Sequence, residues 1–261
     1  MSQKNFTKYD FHGKVAVVTG ASRGIGKQIC KDLLESNCSV LGCFSSNEQE
    51  AKVCLDEFNK FKSNFVLNKR DISKDNDIIK IYDDVKKIWG KPIDYLVNNA
   101  GILYQGDFKE LSSEKWDKTH SVNLRGPFRL SQIFLQEGSK NGSIVNISSV
   151  GGQTGGNRAP DYASSKAGLI SLTKSVARLG VDRGIRSNAV SPGWIETDIF
   201  SDSQLVELKD QAKKVIPMER MGLPFEVSRA VLFLLSDEAS YITGHCLNVN
   251  GGLFLGWKNQ H

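Results

Sequence analysis

The sequence predicts an α/β protein, a single domain whose doubly wound parallel sheet of about seven strands carries helices on both faces. Short apolar runs alternate with longer segments of helical periodicity along the chain, which is the pattern of repeated βα units. The short runs lack polar alternation, and this indicates strands that are covered on both sides. A length of 261 residues suits one domain, spanning 1–261, with a single sizeable core.

Strands are predicted where apolar and β-branched residues cluster in short runs between turn signals. In chain order the predicted strands cover 14–19, 39–44, 64–67, 93–98, 143–148, 185–190 and 246–249.

Helices are predicted where apolar residues recur at three- and four-residue intervals, as they do within 73–89. The predicted helix 112–137 is expected to bend near Gly126–Pro127, because proline interrupts the helical hydrogen-bond ladder. Residues 192–221 carry weaker signals and are predicted to form a substrate lid. In chain order the predicted helices cover 24–35, 48–61, 73–89, 112–137, 161–181 and 225–235.

Composition favours a cytoplasmic protein that binds neither nucleic acid nor membrane. The net charge of +5 is spread along the chain without a basic arm, although it favours a phosphorylated cofactor or an acidic partner. No apolar run is long enough for a membrane span, and the polar N-terminus lacks a signal-peptide core. The five cysteines include no CxxC and are expected to be free thiols, and the scattered histidines predict no metal site.

A glycine-rich turn joins the first predicted strand to the first predicted helix. It reads TGASRGIG, with glycines at Gly20, Gly24 and Gly26. The absent side chains let the backbone approach a pyrophosphate, while the helix N-terminus offers amide donors and a partial positive charge. Because the turn follows a strand and opens a helix, it predicts a dinucleotide site.

The end of the second strand favours NADP(H) over NAD(H). NAD-binding proteins usually carry an acidic residue there to hold the ribose 2′-hydroxyl, and this chain has none before Glu48. Arg23 supplies a positive partner for a 2′-phosphate, and Ser45 and Ser46 supply hydrogen-bond donors. No basic residue directly follows the strand, so the sequence leaves NAD(H) open.

Tyr162 and Lys166 form the candidate acid/base pair. Their i,i+4 spacing in the helix 161–181 places both side chains on one helical face. A nearby ammonium favours the phenolate, so the sequence predicts that Lys166 lowers the pKa of Tyr162 towards neutrality.

Three polar clusters follow other strands at the carboxyl edge of the sheet, where open α/β sheets bind ligands. They are Ser148-Ser149, Asn98-Asn-Ala-Gly101 and Pro192-Gly-Trp-Ile-Glu-Thr197. Together with the glycine turn and the tyrosine–lysine pair, they predict one crevice at this edge.

These segments resemble the short-chain dehydrogenase/reductase family over residues 14–253, and within it the 3-oxoacyl-[acyl-carrier-protein] reductase type. The resemblance implies a Rossmann fold and reduction of a carbonyl to an alcohol. The matching segments are TGASRGIG (19–26), NNAG (98–101), VNL (122–124), ISS (147–149), YASSK (162–166), SNAVSPGWIETD (187–198) and YITGHCLNVNGG (241–252).

The resemblance implies a catalytic set of Asn123, Ser149, Tyr162 and Lys166. Family spacing selects Ser149 over Ser148, because the serine stands thirteen residues before the tyrosine. Ser149 would hydrogen-bond the substrate carbonyl, and Tyr162 would donate the proton as hydride arrives from the nicotinamide. Lys166 would bind the nicotinamide ribose, and Asn123 would position a water that links Lys166 to solvent.

The resemblance also adds cofactor contacts around the crevice. Asp71 would contact the adenine, although the sequence alone equally fits a helix cap beside Ser73. The full candidate cofactor-binding set is Gly20, Ser22, Arg23, Gly24, Ile25, Gly26, Ser45, Asp71, Asn98, Ala100, Gly101, Tyr162, Lys166, Pro192, Gly193, Ile195 and Thr197.

Three functions stay open at this point. The resemblance favours reduction of a 3-oxoacyl thioester, and the alternative is an NAD(P)-dependent enzyme for a small alcohol, polyol, sugar or ketone. A non-catalytic binding or regulatory role is disfavoured by the intact catalytic set. The resemblance further implies a homotetramer, with Lys140 and Arg183 as candidate residues for docking an acyl carrier protein.

Overall fold

Seven parallel strands form one sheet in the order β3-β2-β1-β4-β5-β6-β7. The computed structural model describes residues 9–197 and 202–256. The strands are β1 (Val15–Thr19), β2 (Ser39–Phe44), β3 (Phe65–Lys69), β4 (Tyr95–Asn98), β5 (Ser143–Ile147), β6 (Arg186–Pro192) and β7 (Cys246–Val249). The predicted doubly wound Rossmann arrangement is thereby confirmed.

Helices cover both faces of this sheet. They are α1 (Gly24–Glu35), α2 (Glu48–Glu57), α3 (Asp75–Trp89), α4 (Ser113–His120), α5 (Gly126–Glu137), α6 (Gly151–Thr154), α7 (Pro160–Gly180), α8 (Asp202–Val215) and α9 (Pro224–Leu235). None of the helices in the described ranges combines the length and the apolar character needed to cross a membrane.

The first strand contributes side chains to two cores, which explains its unbroken apolar run. Ala16 and Val18 of β1 pack into the cluster on the α1 and α9 face, while Val15 and Val17 pack into the cluster on the α3 and α5 face. Side chains alternate along a strand, so a strand between two cores needs apolar residues at every position.

Strand order reverses at the centre of the sheet, because β1 pairs with β2 on one side and with β4 on the other. Such a reversal opens a crevice outside the carboxyl ends of the two strands. The glycine turn after β1 and the segment after β4 therefore face one another.

A π-helical segment, Ser121–Arg125, lies between α4 and α5. It lies directly before Gly126, close to the position of the predicted bend. Wide turns of this kind often mark functional sites, and Asn123 lies within this one.

Three regions differ from the prediction, and one is the short helix α6, which no predicted helix covers. The second helix ends at Glu57 and is followed by a short 3₁₀ turn, Asn59–Phe61. Residues 192–221, taken as a weakly structured lid, contain the helix α8, and residues 198–201 of that lid lie outside the described part of the chain. The α8 sequence is polar and exposes most of its surface, so its few apolar residues gave a weak periodic signal.

Candidate active site

The glycine turn leaves no room for side chains at two of its positions. Gly20 has a φ of +65°, and a Cβ built on it would lie 2.9 Å from Cα of Ala100. A Cβ on Gly26 would lie 2.1 Å from the carbonyl oxygen of Gly20. The turn therefore presents bare backbone at the start of α1, as a pyrophosphate cradle requires.

Two residues that the sequence reasoning missed hold this turn against β4. The Thr19 hydroxyl accepts hydrogen bonds from the backbone N–H groups of Asn99 and Ala100, both at 3.0 Å. The Asn99 amide donates to the carbonyl oxygens of Thr19 at 2.9 Å and Gly20 at 3.0 Å. The NNAG segment at 98–101 could have indicated Asn99, but only Asn98 was predicted to be functional.

The candidate residues for a 2′-phosphate lie beside the turn. Arg23 is exposed, and its guanidinium donates to the Glu50 carboxylate at 3.2 Å. Ser45 is exposed just beyond β2, whereas Ser22 is buried and Ile25 packs against the core. Arg23 and Ser45 thus offer polar groups at one end of the crevice, and Glu50 competes for the arginine.

The side chains of Asp71 and Asn98 have partners within the protein. One carboxylate oxygen of Asp71 accepts from the N–H of Ser73 at 3.0 Å and from its hydroxyl at 2.7 Å. These bonds close a local turn before α3 and do not cap that helix, whose N-cap residue is Lys74. These bonds lower the pKa of Asp71 against the opposing effect of burial. Asn98 is buried and donates to the Asn146 side chain at 2.8 Å, so its amide faces the sheet.

The segment after β6 borders the turn from the other side. Pro192 is buried, and the N–H of Gly193 donates to the Val249 carbonyl at 3.0 Å. Ile195 is buried and bridges to Gly222. The Thr197 methyl carbon lies 3.4 Å from the Cβ position of Gly24, so this segment reaches the glycine turn.

Lys166 is buried on α7 with its ammonium held against the end of β5. Its Nζ donates to the Ile147 carbonyl at 2.7 Å, and the residue is only 3% exposed. Burial disfavours the charged form and lowers the pKa of Lys166 from 10.5 to about 8. This amine therefore titrates close to physiological pH.

Gly101 marks the point where Lys166 and Asn123 meet. A Cβ on this glycine would lie 3.4 Å from both the Lys166 Nζ and the Asn123 Oδ1. The Asn123 amide is buried and holds Ile102 by two bonds of 2.9 Å, one to its N–H and one to its carbonyl. Asn123 thus fixes the backbone that leaves β4 next to the lysine.

Tyr162 is half-buried one helical turn before Lys166, whose Nζ lies 5.7 Å from the tyrosine ring centre. Burial raises the pKa of Tyr162 above 10.0, and a hydrogen bond with the Ser149 side chain opposes this rise only in part. The predicted lowering of the Tyr162 pKa is therefore wrong in net direction, because desolvation outweighs the stabilisation of the phenolate. The phenol is protonated at neutral pH, the state that can donate a proton.

The two serines after β5 have different environments. The Ser148 hydroxyl is buried and donates to the Lys166 carbonyl at 2.9 Å. The Ser149 hydroxyl accepts from the N–H of Gly151 at 3.1 Å, which leaves its own hydrogen available towards Tyr162. Ser148 therefore anchors α7, while Ser149 faces the crevice.

The candidate docking residues Arg183 and Lys140 differ in their contacts and exposure. The half-buried Arg183 donates to the carbonyl oxygens of Leu135 and Gly138 at the end of α5, so its guanidinium already has partners within the protein. Lys140 is exposed.

Comparisons with known proteins identify the family of the chain. A family model described as enoyl-(acyl carrier protein) reductase matches residues 20–254. The 3-oxoacyl-[acyl-carrier-protein] reductase FabG of Aquifex aeolicus is 40% identical over 93% of this chain and 98% of its own length. The protein of the same name from Escherichia coli is 39% identical over 94% and 99%.

Among solved structures, a short-chain dehydrogenase/reductase of Brucella melitensis, described as a glucose/ribitol dehydrogenase, matches with a TM-score of 0.86. It is 29% identical in sequence, and the match covers 94% of this chain and 98% of that one.

The fold, the crevice and these relatives define an oxidoreductase that acts on carbonyl or alcohol groups with a nicotinamide cofactor. The chain belongs to the short-chain dehydrogenase/reductase family.

Proposed function

We propose that this chain reduces a 3-oxoacyl thioester to the 3-hydroxyacyl thioester with NADPH. The observation that carries the carbonyl chemistry is the protonated, half-buried phenol of Tyr162 beside Ser149 and the buried amine of Lys166. The thioester is supported by the two full-length relatives, both of which bear the name of a 3-oxoacyl-[acyl-carrier-protein] reductase.

In this proposal the side chains bind the carbonyl and deliver the proton. Ser149 donates a hydrogen bond to the substrate oxygen, and Tyr162 transfers its phenolic proton to that oxygen. The Lys166 ammonium stabilises the phenolate that Tyr162 becomes, since an opposite charge nearby favours the ionised form. Asn123 acts by holding the backbone at Ile102 beside Lys166.

The cofactor would lie along the crevice, and its nicotinamide supplies the hydride. The turn at the start of α1 fits the pyrophosphate, because it offers backbone amides at a helix N-terminus. Gly20 and Gly26 keep this turn tight, since a Cβ on either would collide with Ala100 or with the Gly20 carbonyl. The other proposed contacts are Ser22, Gly24, Ile25, Ala100, Gly101, Lys166, Pro192, Gly193, Ile195 and Thr197, with Asp71 towards the adenine and Asn98 through its backbone.

The NADPH preference rests on Arg23 and Ser45, and the Arg23–Glu50 pair makes it testable. Arg23→Ala is expected to raise KM for NADPH about tenfold or more, as expected for one charged hydrogen bond, and to leave KM for NADH unchanged. Glu50→Gln releases the guanidinium and should lower KM for NADPH. Steady-state kinetics with both cofactors measure this, and equal kcat/KM values for NADH and NADPH in the unaltered protein would contradict the preference.

The substrate is tested with a panel under both cofactors. We expect NADPH oxidation to be fastest with an acetoacetyl thioester, and slower with an aromatic ketone. Preferred oxidation of a polyol, assayed with the oxidised cofactors NADP+ and NAD+, would favour the activity named for the Brucella relative. Preferred turnover of a crotonyl thioester would favour the enoyl reduction in the family description. Either preference would overturn the proposal.

We further propose that the chain acts as one domain whose lid, 192–221, covers the substrate. Four copies assemble through the helical regions 123–137 and 162–181, and Lys140 contributes positive charge for an acidic carrier protein. Light scattering showing a monomer would contradict this assembly.

A further inference from the structure

Three side-chain contacts join α4 and its π-helical extension to the first turns of α7. The Thr119 hydroxyl donates to the Asp161 carboxylate at 2.6 Å. The His120 ring lies 3.2 Å from the Ser164 hydroxyl, and the Asn123 amide donates to the Ser165 hydroxyl at 3.2 Å. The contacted positions of α7 bracket Tyr162.

The first of these contacts is fully buried. Thr119 and Asp161 are both 0% exposed. The second oxygen of the Asp161 carboxylate is buried and has no hydrogen-bond partner within residues 9–197 and 202–256. Burying a carboxyl group with half its hydrogen bonds unmade is costly, so the single bond from Thr119 is the specific contact that holds this side chain.

Asp161 and Tyr162 face different directions from one helical turn. Neighbouring residues of an α-helix diverge by about 100° around the axis. Asp161 therefore contacts α4 through Thr119, while Tyr162 points into the crevice. The Ser165 hydroxyl in turn donates to the Tyr162 carbonyl at 2.7 Å, so the tyrosine backbone is tied on both sides to the same neighbouring helix.

We propose that Thr119 and Asp161 are positioning residues for Tyr162, an inference that rests on the proposed catalytic role of that tyrosine. The Thr119–Asp161 bond fixes the first turn of α7, and with it the distance from the phenol to Ser149 and to the substrate carbonyl. The bond acts through geometry, so a neutral acceptor at residue 161 serves as well as a carboxylate.

The decisive variant is Thr119→Val, which keeps the shape of the side chain and removes the donor. Both Asp161 oxygens are then unpartnered, and the first turn must move to find other partners. We expect kcat to fall about tenfold or more, since small misplacements of a reacting group are costly, while KM for NADPH stays within twofold. Thr119→Ser and Asp161→Asn, which preserve the donor and an acceptor, should keep kcat close to that of the unaltered enzyme.

A matched control removes a buried hydroxyl bond from the opposite edge of the sheet. Ser143 donates to the Leu234 carbonyl at 3.1 Å, and Ser143→Ala is expected to leave kcat unchanged. Amide hydrogen exchange should accelerate at 161–165 in Thr119→Val and not in the control. All variants are assayed below their unfolding transitions.

The results separate the two proposals. An unaltered enzyme that turns over a panel substrate while Thr119→Val matches Ser143→Ala in kcat would overturn the positioning role. So would faster exchange at 161–165 without any loss of kcat, because the pair would then be structural only. An unaltered protein that turns over no carbonyl substrate would instead refute the proposed function, while the exchange measurement would still report whether Thr119 holds the turn.

Discussion

Replacing Tyr162 by phenylalanine is expected to lower kcat by about 10³-fold, within the range known for loss of a general acid. The ring remains to fill the half-buried position, so cofactor affinity and fold should change little. The raised pKa of Tyr162 keeps its proton in place at neutral pH, and the substitution removes that proton donor alone. Single-turnover reduction by bound NADPH gives the chemical step directly.

A second tyrosine provides the matched control. Tyr82 is buried on the α3 face, and its hydroxyl donates to the Leu130 carbonyl at 2.5 Å. Tyr82→Phe removes a phenolic hydroxyl that is buried outside the crevice, and it should leave kcat within twofold. If Tyr162→Phe behaved like Tyr82→Phe, the proton would have another source and the mechanism proposed here would be wrong.

Replacing Lys166 by methionine is expected to lower kcat by about 10²-fold and, at pH 7, to stabilise the fold. Burial lowers the folded-state pKa from 10.5 to about 8, so the folded protein binds this proton less tightly than the unfolded chain. At neutral pH both states carry the charge, and burying it costs on the order of 3 kcal/mol. Losing the bond to the Ile147 carbonyl removes about 1 kcal/mol, which leaves a net gain of about 2 kcal/mol.

The dependence on pH identifies the cause of this gain. The cost of burying the charge is present below pH 8 and disappears as the pH rises from about 8 to 10.5, where the amine is neutral in both states. The stability difference between Lys166→Met and the unaltered protein should therefore shrink over that range. Urea unfolding at pH 7 and pH 10 measures it, with the exposed Lys174→Met on the same helix as control.

A gain in stability that did not depend on pH would mean that charge burial is not its source. A variant with full activity would remove Lys166 from the mechanism. Simultaneous loss of activity and gain of stability is the trade expected when a functional group is held in an unfavourable environment.

The sequence predicted the sheet well because most of its strands contain short apolar runs, as in β1 and β2, a signal that does not depend on neighbours. The first helix matched its predicted bounds, since Gly24 and Glu35 enclose a regular apolar stripe. The helix α8 was missed, because a polar helix at the surface has little periodic contrast.

The site features that the sequence predicted are likewise local patterns, and those that it missed depend on tertiary contacts. The glycine turn and the Tyr162–Lys166 spacing are local patterns, and the structure brings both to one edge of the sheet. The different surroundings of Ser148 and Ser149 and the bonds of Arg183 within the protein depend on tertiary partners that no local pattern encodes. The prediction for the pKa of Tyr162 was wrong for the same reason, because the burial of its side chain depends on the whole fold.

The π-helical segment Ser121–Arg125 constrains the number of residues between α4 and α5. A π-helical turn holds one residue more than an α-helical turn, so deleting one residue there would restore a regular helix without breaking it. The same deletion would rotate Thr119 by about 100° relative to α5 and separate it from Asp161. In descendants of this sequence, insertions and deletions should therefore accumulate in the surface loops and be excluded from the interval between Thr119 and Gly126, even where every remaining side chain is unchanged.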